Sequence, residues 1–371
     1  MSFVAPAYGG LSLGDVLPAV SRALGVDAGL PATTLELPDA RAYVVFLIDG
    51  LGYELLRDHP DQAPFLHQLL DGQPPATVGV PSTTATSLTS FGTGLPPGAH
   101  GVVGFTTRIP GTDDLLNALT WSKTVDPRDW QPHRTALDRM AAAGVHATVV
   151  NKREFEGSGL TLAGMRGAGF VGADKVGERM AAAVEACGHQ PSVTYLYDGD
   201  LDWTGHRYGV ASTSWELQLA MIDAEAEQLR EALPPDVRIV VVADHGMVDS
   251  PEESRLDVDE SPELLDGVAL LGGEARFRHV YCRGGAVDDV RTAWRATLGD
   301  RAEVLTRDEG IARGWFGPVD PAVRPRLGDV LVAARGDFSL MSSAVFPYEA
   351  RLVGLHGSLT SAEMLIPLLV V

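Results

Sequence analysis

The sequence predicts an α/β protein built on a mostly parallel sheet with helices on both faces. Three observations carry this. YVVFLIDG, residues 43–50, is a continuous apolar run ending in Asp49 and Gly50, the pattern of a strand buried on both sides. VRIVVVADHG (237–246) and SVTYLYDGD (192–200) repeat it, each ending in polar residues. Helical patterns near 134–143, 174–186 and 211–232 alternate with these strands, the last placing Trp215, Leu219 and Ile222 on one side. Ligands in such sheets gather beyond the C-terminal strand ends, so the polar endings mark one candidate site.

The remaining elements follow in order. Residues 1–42 read as an N-terminal extension packed on the core, with a short helix over about 12–25 that aligns Leu13, Leu17, Val20 and Leu24. Residues 43–371 show neither a repeat nor a flexible linker and are expected to form one catalytic domain, with cap or peripheral insertions around 105–130 and 249–330. Within the second insertion, 279–283, 302–306 and 329–334 predict peripheral strands and 286–298 a helix. The stretch 249–263 holds seven acidic residues and one arginine, which predicts a solvent-facing loop without the spacing of a calcium loop. LVGLHG at 352–357 and the closing MLIPLLVV return to apolar character.

Composition bounds the partners. At 371 residues, with 45% hydrophobic and 21% charged, the chain can bury a large core. No apolar run reaches the roughly 18 residues of a membrane span, and the N terminus lacks a basic segment followed by an apolar one. No membrane association and a cytoplasmic location are therefore expected. The formal charge of −20 disfavours a nucleic-acid polymer as partner. Cys187 and Cys282 are the only cysteines, too few for a disulfide framework or a cysteine metal knuckle.

The polar endings supply metal-ligand chemistry. Asp49 follows one strand and Asp244-His245 another, while Asp202 and His206 lie in DWTGH, read as a turn, and His356 in LHG. Three carboxylates and three imidazoles suit zinc or manganese rather than a thiolate site. Each alone has an ordinary reading as a turn or surface residue, and the combination is what points to a metal centre. VPSTTATSLTSFGTG offers hydroxyls at a helix start, with Thr84 placed for attack on phosphorus, against the plain reading of a Ser/Thr-rich cap. No Lys or Arg lies between Pro81 and Leu95, which disfavours an ATP-type phosphate loop.

The order YVVFLIDG, PSTTATSLTSFGTGLPPGAHGVVG, YDGDLDWTGHRYG, VVVADHGM and LHG resembles the type I phosphodiesterase/nucleotide pyrophosphatase branch of the alkaline phosphatase superfamily. The resemblance spans roughly residues 43–357. It implies a three-layer α/β/α sandwich of the alkaline-phosphatase type, two divalent metals and a covalent phosphothreonine at Thr84. Matching the motifs assigns Asp202, His206 and His356 to one metal and Asp49, Asp244, His245 and Thr84 to the other. Zinc fits this branch best, with manganese as the alternative.

The chain departs from the family pattern at Ser87, where Asn usually stands three residues after the threonine. This separates phosphoryl transfer from nucleotide specificity, though Ser87 still offers a hydroxyl to substrate. Phe105, Trp203 and Tyr208, with Trp121, are candidates for an apolar wall around the leaving group. Lys123, Arg128 and Lys152 are candidates to neutralise a distal phosphate, and His100 reads as structural. The expected substrate is a small phosphorylated molecule, possibly nucleotide-like, cleaved by a phosphodiesterase or nucleotide-pyrophosphatase-like enzyme. A phosphomonoesterase or phosphonate hydrolase on the same core, and a metal-stabilised binding protein, are the competing readings.

Overall fold

A computed structural model describes residues 3–371. Ten strands carry the two main sheets. In chain order they are β1 (Ala42–Ile48), β2 (His146–Asn151), β3 (Gly169–Gly172), β4 (Ser192–Asp198), β5 (Val237–Val242), β6 (Val268–Glu274), β7 (Phe277–Cys282), β8 (Ala302–Thr306), β9 (Val330–Ala334) and β10 (Leu368–Val370).

The central sheet runs β10-β5-β1-β4-β2-β3, parallel throughout except for the antiparallel edge strand β10. Helical layers cover it, giving a three-layer α/β/α sandwich of the alkaline-phosphatase type. All seven residues of β1 are buried, which is why its sequence is apolar without alternation. Each fully buried aliphatic side chain there contributes about 1.5–3 kcal/mol. In the helix Thr213–Ala232, Trp215, Leu219 and Ile222 are buried in the same core. So are Leu13, Val16, Leu17 and Val20 of the N-terminal segment.

The second sheet, β6-β7-β9-β8, is antiparallel, and the helix Val287–Leu298 sits over it. Val290, Trp294 and Leu298 of that helix join Val304, Val330 and Val332 in a separate apolar cluster. A hairpin of Thr106–Arg108 and Leu115–Asn117 lies near another small cluster around Trp130.

Two local expectations are corrected. The acidic stretch 249–263 is not a plain solvent loop: Arg255–Asp257 pairs in parallel with Ser339–Met341, and Val258 is fully buried. Its acids are used locally, Asp249 accepting from the backbone N–H groups of Val210 and Ala211, and Asp259 from Ser342 and Ala344. The DWTGH segment is not a turn but part of the helix Asp200–Tyr208, which sets Asp202 and His206 one helical turn apart on one face.

Candidate active site

The sheet order puts the polar strand endings side by side. β1 lies between β4 and β5, with Ile48 opposite Asp198 and Leu47 opposite Val242, so Asp49, the Asp200–Tyr208 helix and Asp244-His245 emerge at one edge. Gly50 has φ +75°, and a Cβ there would lie 3.1 Å from the Asp202 Cα. Only glycine lets the β1 turn and the Asp202 helix approach this closely. Its N–H donates to Asp244 Oδ1 at 3.1 Å, fixing one oxygen of that carboxylate. His356 arrives on the short Gly354–Leu355 strand, paired with Val248–Asp249.

All three imidazoles are anchored through Nδ1. His206 Nδ1–H donates to Gly354 O at 2.7 Å, His356 Nδ1–H to Ser82 O at 2.9 Å and His245 Nδ1–H to Gly246 O at 3.0 Å. Each Nε2 is therefore turned to the centre, the arrangement that orients metal-binding histidines. His206 Nε2 lies 3.2 Å from His356 Nε2 and 3.5 Å from Asp202 Oδ2. His245 Nε2 lies 3.4 Å from Asp49 Oδ1, 3.5 Å from Asp244 Oδ2 and 3.2 Å from Thr84 Oγ1.

Two imidazole Nε2 atoms face each other while both Nδ1–H groups are committed elsewhere, and the carboxylates nearby lack donors as well. Asp49 Oδ1, Asp202 Oδ1 and Asp244 Oδ2 are buried without a hydrogen-bond partner. Burial and the neighbouring Asp244 and Asp202 charges push the Asp49 carboxyl well above the usual range, and burial raises Asp244 as well. Burial, with His245 and His206 alongside, holds His356 well below the usual imidazole range, in the neutral ligand form. Divalent cations relieve every one of these conflicts, so the residues fit the metals expected of them. The ligand atoms fall into two groups within 4.8 Å, Asp202/His206/His356 and Asp49/Asp202/His245. Asp202 borders both, and Asp244 joins the second group through its contact with His245.

Thr84 opens the helix Thr84–Thr93, which Gly94 ends at φ +71°. Much of the hydroxyl richness of this helix is structural: Thr89 and Thr93 donate to the carbonyls of Ala85 and Thr89. Thr84 differs, its hydroxyl facing the imidazole and carboxylate cluster.

The type I phosphodiesterase / nucleotide pyrophosphatase family matches residues 43–359. The chain belongs to this family. It is accordingly a metal-dependent hydrolase of the phosphodiesterase superfamily. Among solved structures it resembles murine ectonucleotide pyrophosphatase/phosphodiesterase 5, an inactive variant in complex with AMP, at 18% identity and TM-score 0.69, covering 89% of this chain and 87% of that one. The human protein of the same name gives 17% identity and TM-score 0.67, with 89% and 87% covered. Phosphonoacetate hydrolase from Sinorhizobium meliloti 1021, in complex with phosphonoformate, gives 20% identity and TM-score 0.65, with 91% of each chain covered. At these identities the likeness is one of fold. No curated protein matches the sequence.

In this family member two cavities meet at Thr84, and Leu119, Asp202 and His206 also line both. The larger, about 390 Å³, extends past Trp203 and Lys152 to Phe155, Leu160 and Met165. The smaller, about 270 Å³, is walled by Phe105, Glu274, Tyr348 and Leu352. Phe105 and Trp203 thus each line a cavity. Tyr208 lines neither; it is exposed, edge-on to Trp203, with the Arg207 guanidinium over both rings. Ser87 is fully buried with its hydroxyl unpartnered and lines neither cavity, the wall at that turn being Leu88. Lys152 lines the larger cavity but pairs with Asp200 at 2.8 Å, whereas Lys123, Arg128 and Trp121 line neither. His100 is fully buried, its Nδ1 accepting from Val102 N–H and its Nε2–H donating to Ser90 Oγ, and burial pushes it down to about 3.

Tyr197 escaped the sequence reading. Its hydroxyl donates to Asp49 Oδ2, and burial keeps the phenol protonated. The available signal was Tyr195 and Tyr197 at period two in the strand that leads to the site. Tyr197→Phe leaves that carboxylate oxygen without its donor, and we expect metal affinity to fall about 10–100-fold, measured by metal titration of the stripped protein.

Proposed function

We propose that the chain hydrolyses small phosphodiesters through a covalent intermediate on Thr84, with two divalent ions held by its acid–imidazole groups. The carrying observation is the position of the Thr84 hydroxyl, 3.2 Å from His245 Nε2 at one ligand group and at the junction of two cavities. Asp202, His206 and His356 would hold one ion, and Asp49, Asp244, His245 and Thr84 the other. Three carboxylates and three imidazoles favour zinc, with manganese next. When bound, the ions would supply the positive charge that favours proton loss from Thr84 and offsets charge on the phosphoryl and leaving oxygens.

The chain's own residues set the course of the reaction. Thr84 Oγ1 forms a bond to phosphorus while the bond to one ester oxygen breaks, releasing that substituent as its alcohol. Water then attacks the phosphorus held on Thr84, returning the threonine hydroxyl and releasing a phosphomonoester. The backbone acceptors Gly354, Ser82 and Gly246 keep each Nε2 in place through both halves.

Two cavities give room for both substituents of a diester. Among the described residues, the one lysine or arginine lining the cavities, Lys152, is already paired with Asp200, leaving no free cation there to meet the extra charge of a monoester. For matched nitrophenyl esters and metal-reconstituted protein, we expect kcat/KM for the diester to exceed that for the monoester by at least about 100-fold, or about 2.7 kcal/mol. An equal or reversed ratio removes the diesterase reading.

A further inference from the structure

The smaller cavity contains a group that the reaction at Thr84 does not use. Glu274, at the end of β6, is 7% exposed. Its Oε2 accepts from the Phe105 N–H at 3.0 Å, while Oε1 is buried without any hydrogen-bond partner. Gly357 packs closely against this side chain, where a Cβ would lie 2.6 Å from the Glu274 Cγ.

Local charge sharpens the point. Glu363 forms a two-pronged pair with Arg276, at 3.0 and 2.7 Å, and Glu349 a two-pronged pair with Arg278. Both pairs are buried, so both guanidinium groups are committed. Three glutamates thus share two arginines, and Glu274 is the one left over. An unpaired buried carboxyl is costly unless something completes its hydrogen bonding. Phe105 and Tyr348, edge-on with ring centroids 5.9 Å apart, give the same cavity an apolar wall that suits a short methylene stem and the flank of a cation.

We propose that the smaller cavity selects a phosphoryl substituent carrying an amino group on a short alkyl stem, with Glu274 Oε1 accepting from that group. This makes Glu274 a specificity-determining residue, and the assignment rests on the phosphodiesterase reading above. A carboxylate-bearing substituent would meet Glu274 and Glu349 and be disfavoured.

The test compares aminoethyl nitrophenyl phosphate with its isostere propyl nitrophenyl phosphate. A parallel comparison sets aminoethylphosphonate against propylphosphonate as inhibitors or, if turnover fails, as calorimetric ligands of the metal-loaded protein. We expect at least a tenfold preference for the amino compound in both kcat/KM and binding, collapsing towards one in Glu274→Gln. No preference in the binding of the unmodified protein would overturn the proposal even if the variant fails to fold, as would a preference that survives Glu274→Gln. If neither diester is turned over but aminoethylphosphonate still binds tenfold tighter, the hydrolytic reading fails and the subsite stands.

Discussion

Thr84→Ala is expected to lower kcat by at least about 10³-fold while leaving the fold and the metal sites largely in place. The hydroxyl sits at the first position of its helix and faces the cluster, and neither the cap nor the packing of the helix uses it: Thr83 occupies the cap, and the apolar contacts come from Leu88 and Phe91. Loss of function should therefore appear without loss of structure. The measurement is steady-state turnover of a nitrophenyl diester, paired with acid-quench trapping of a phosphorylated peptide and a thermal melt. An unchanged melting temperature with no trapped peptide and no turnover is the expected set. Turnover near that of the unmodified protein would remove Thr84 as the nucleophile.

Asp244→Asn and Asp49→Asn should each weaken one of the two metal positions by at least about 100-fold, or about 2.7 kcal/mol. Both carboxylates are buried at the Thr84 side, each has an oxygen with no protein partner, and each lies within 3.5 Å of the His245 Nε2. Metal content after dialysis against a weak chelator should fall from two ions per chain towards one. Asp200→Asn serves as the control, because Asp200 is half-exposed and paired with Lys152 rather than turned into the cluster. Stripping both ions from the unmodified protein should lower its melting temperature. Binding at about 1,000 times Kd stabilises the folded state by about 4.1 kcal/mol, and in a chain this large that amounts to several degrees. Full metal content in both aspartate variants would contradict the assignment.

The central sheet was legible because strands buried on both faces must be continuously apolar. β1 is such a strand, β4 and β5 come close to it with interruptions at Ser192, Thr194 and Arg238, and each is followed by the carboxylate or imidazole that the sheet brings to one edge. β2 was missed: HATVVN begins with a polar residue and follows an Ala-rich helix, so its apolar stretch is too short to separate from helix. DWTGH looked like a turn because its glycine and aspartates favour turns, yet Leu201 and Thr204 face inward and the Thr204 hydroxyl bonds to the Asp200 carbonyl within the helix. Glu274 could not have been found locally, since its surroundings include Phe105, Glu349 and Gly357, all distant from it in the chain. Motifs near strand ends reveal a reactive centre, whereas the walls of its cavities depend on packing between distant segments.

The stereochemical course at phosphorus tests the covalent route most directly. A chiral phosphorothioate diester would be hydrolysed in isotopically labelled water and the configuration of the product read by NMR. Attack by Thr84 Oγ1 followed by attack of water is two in-line displacements, each inverting the centre, so the account predicts net retention. Net inversion would mean that water attacks the substrate in one step, and would contradict the assignment of Thr84 as nucleophile.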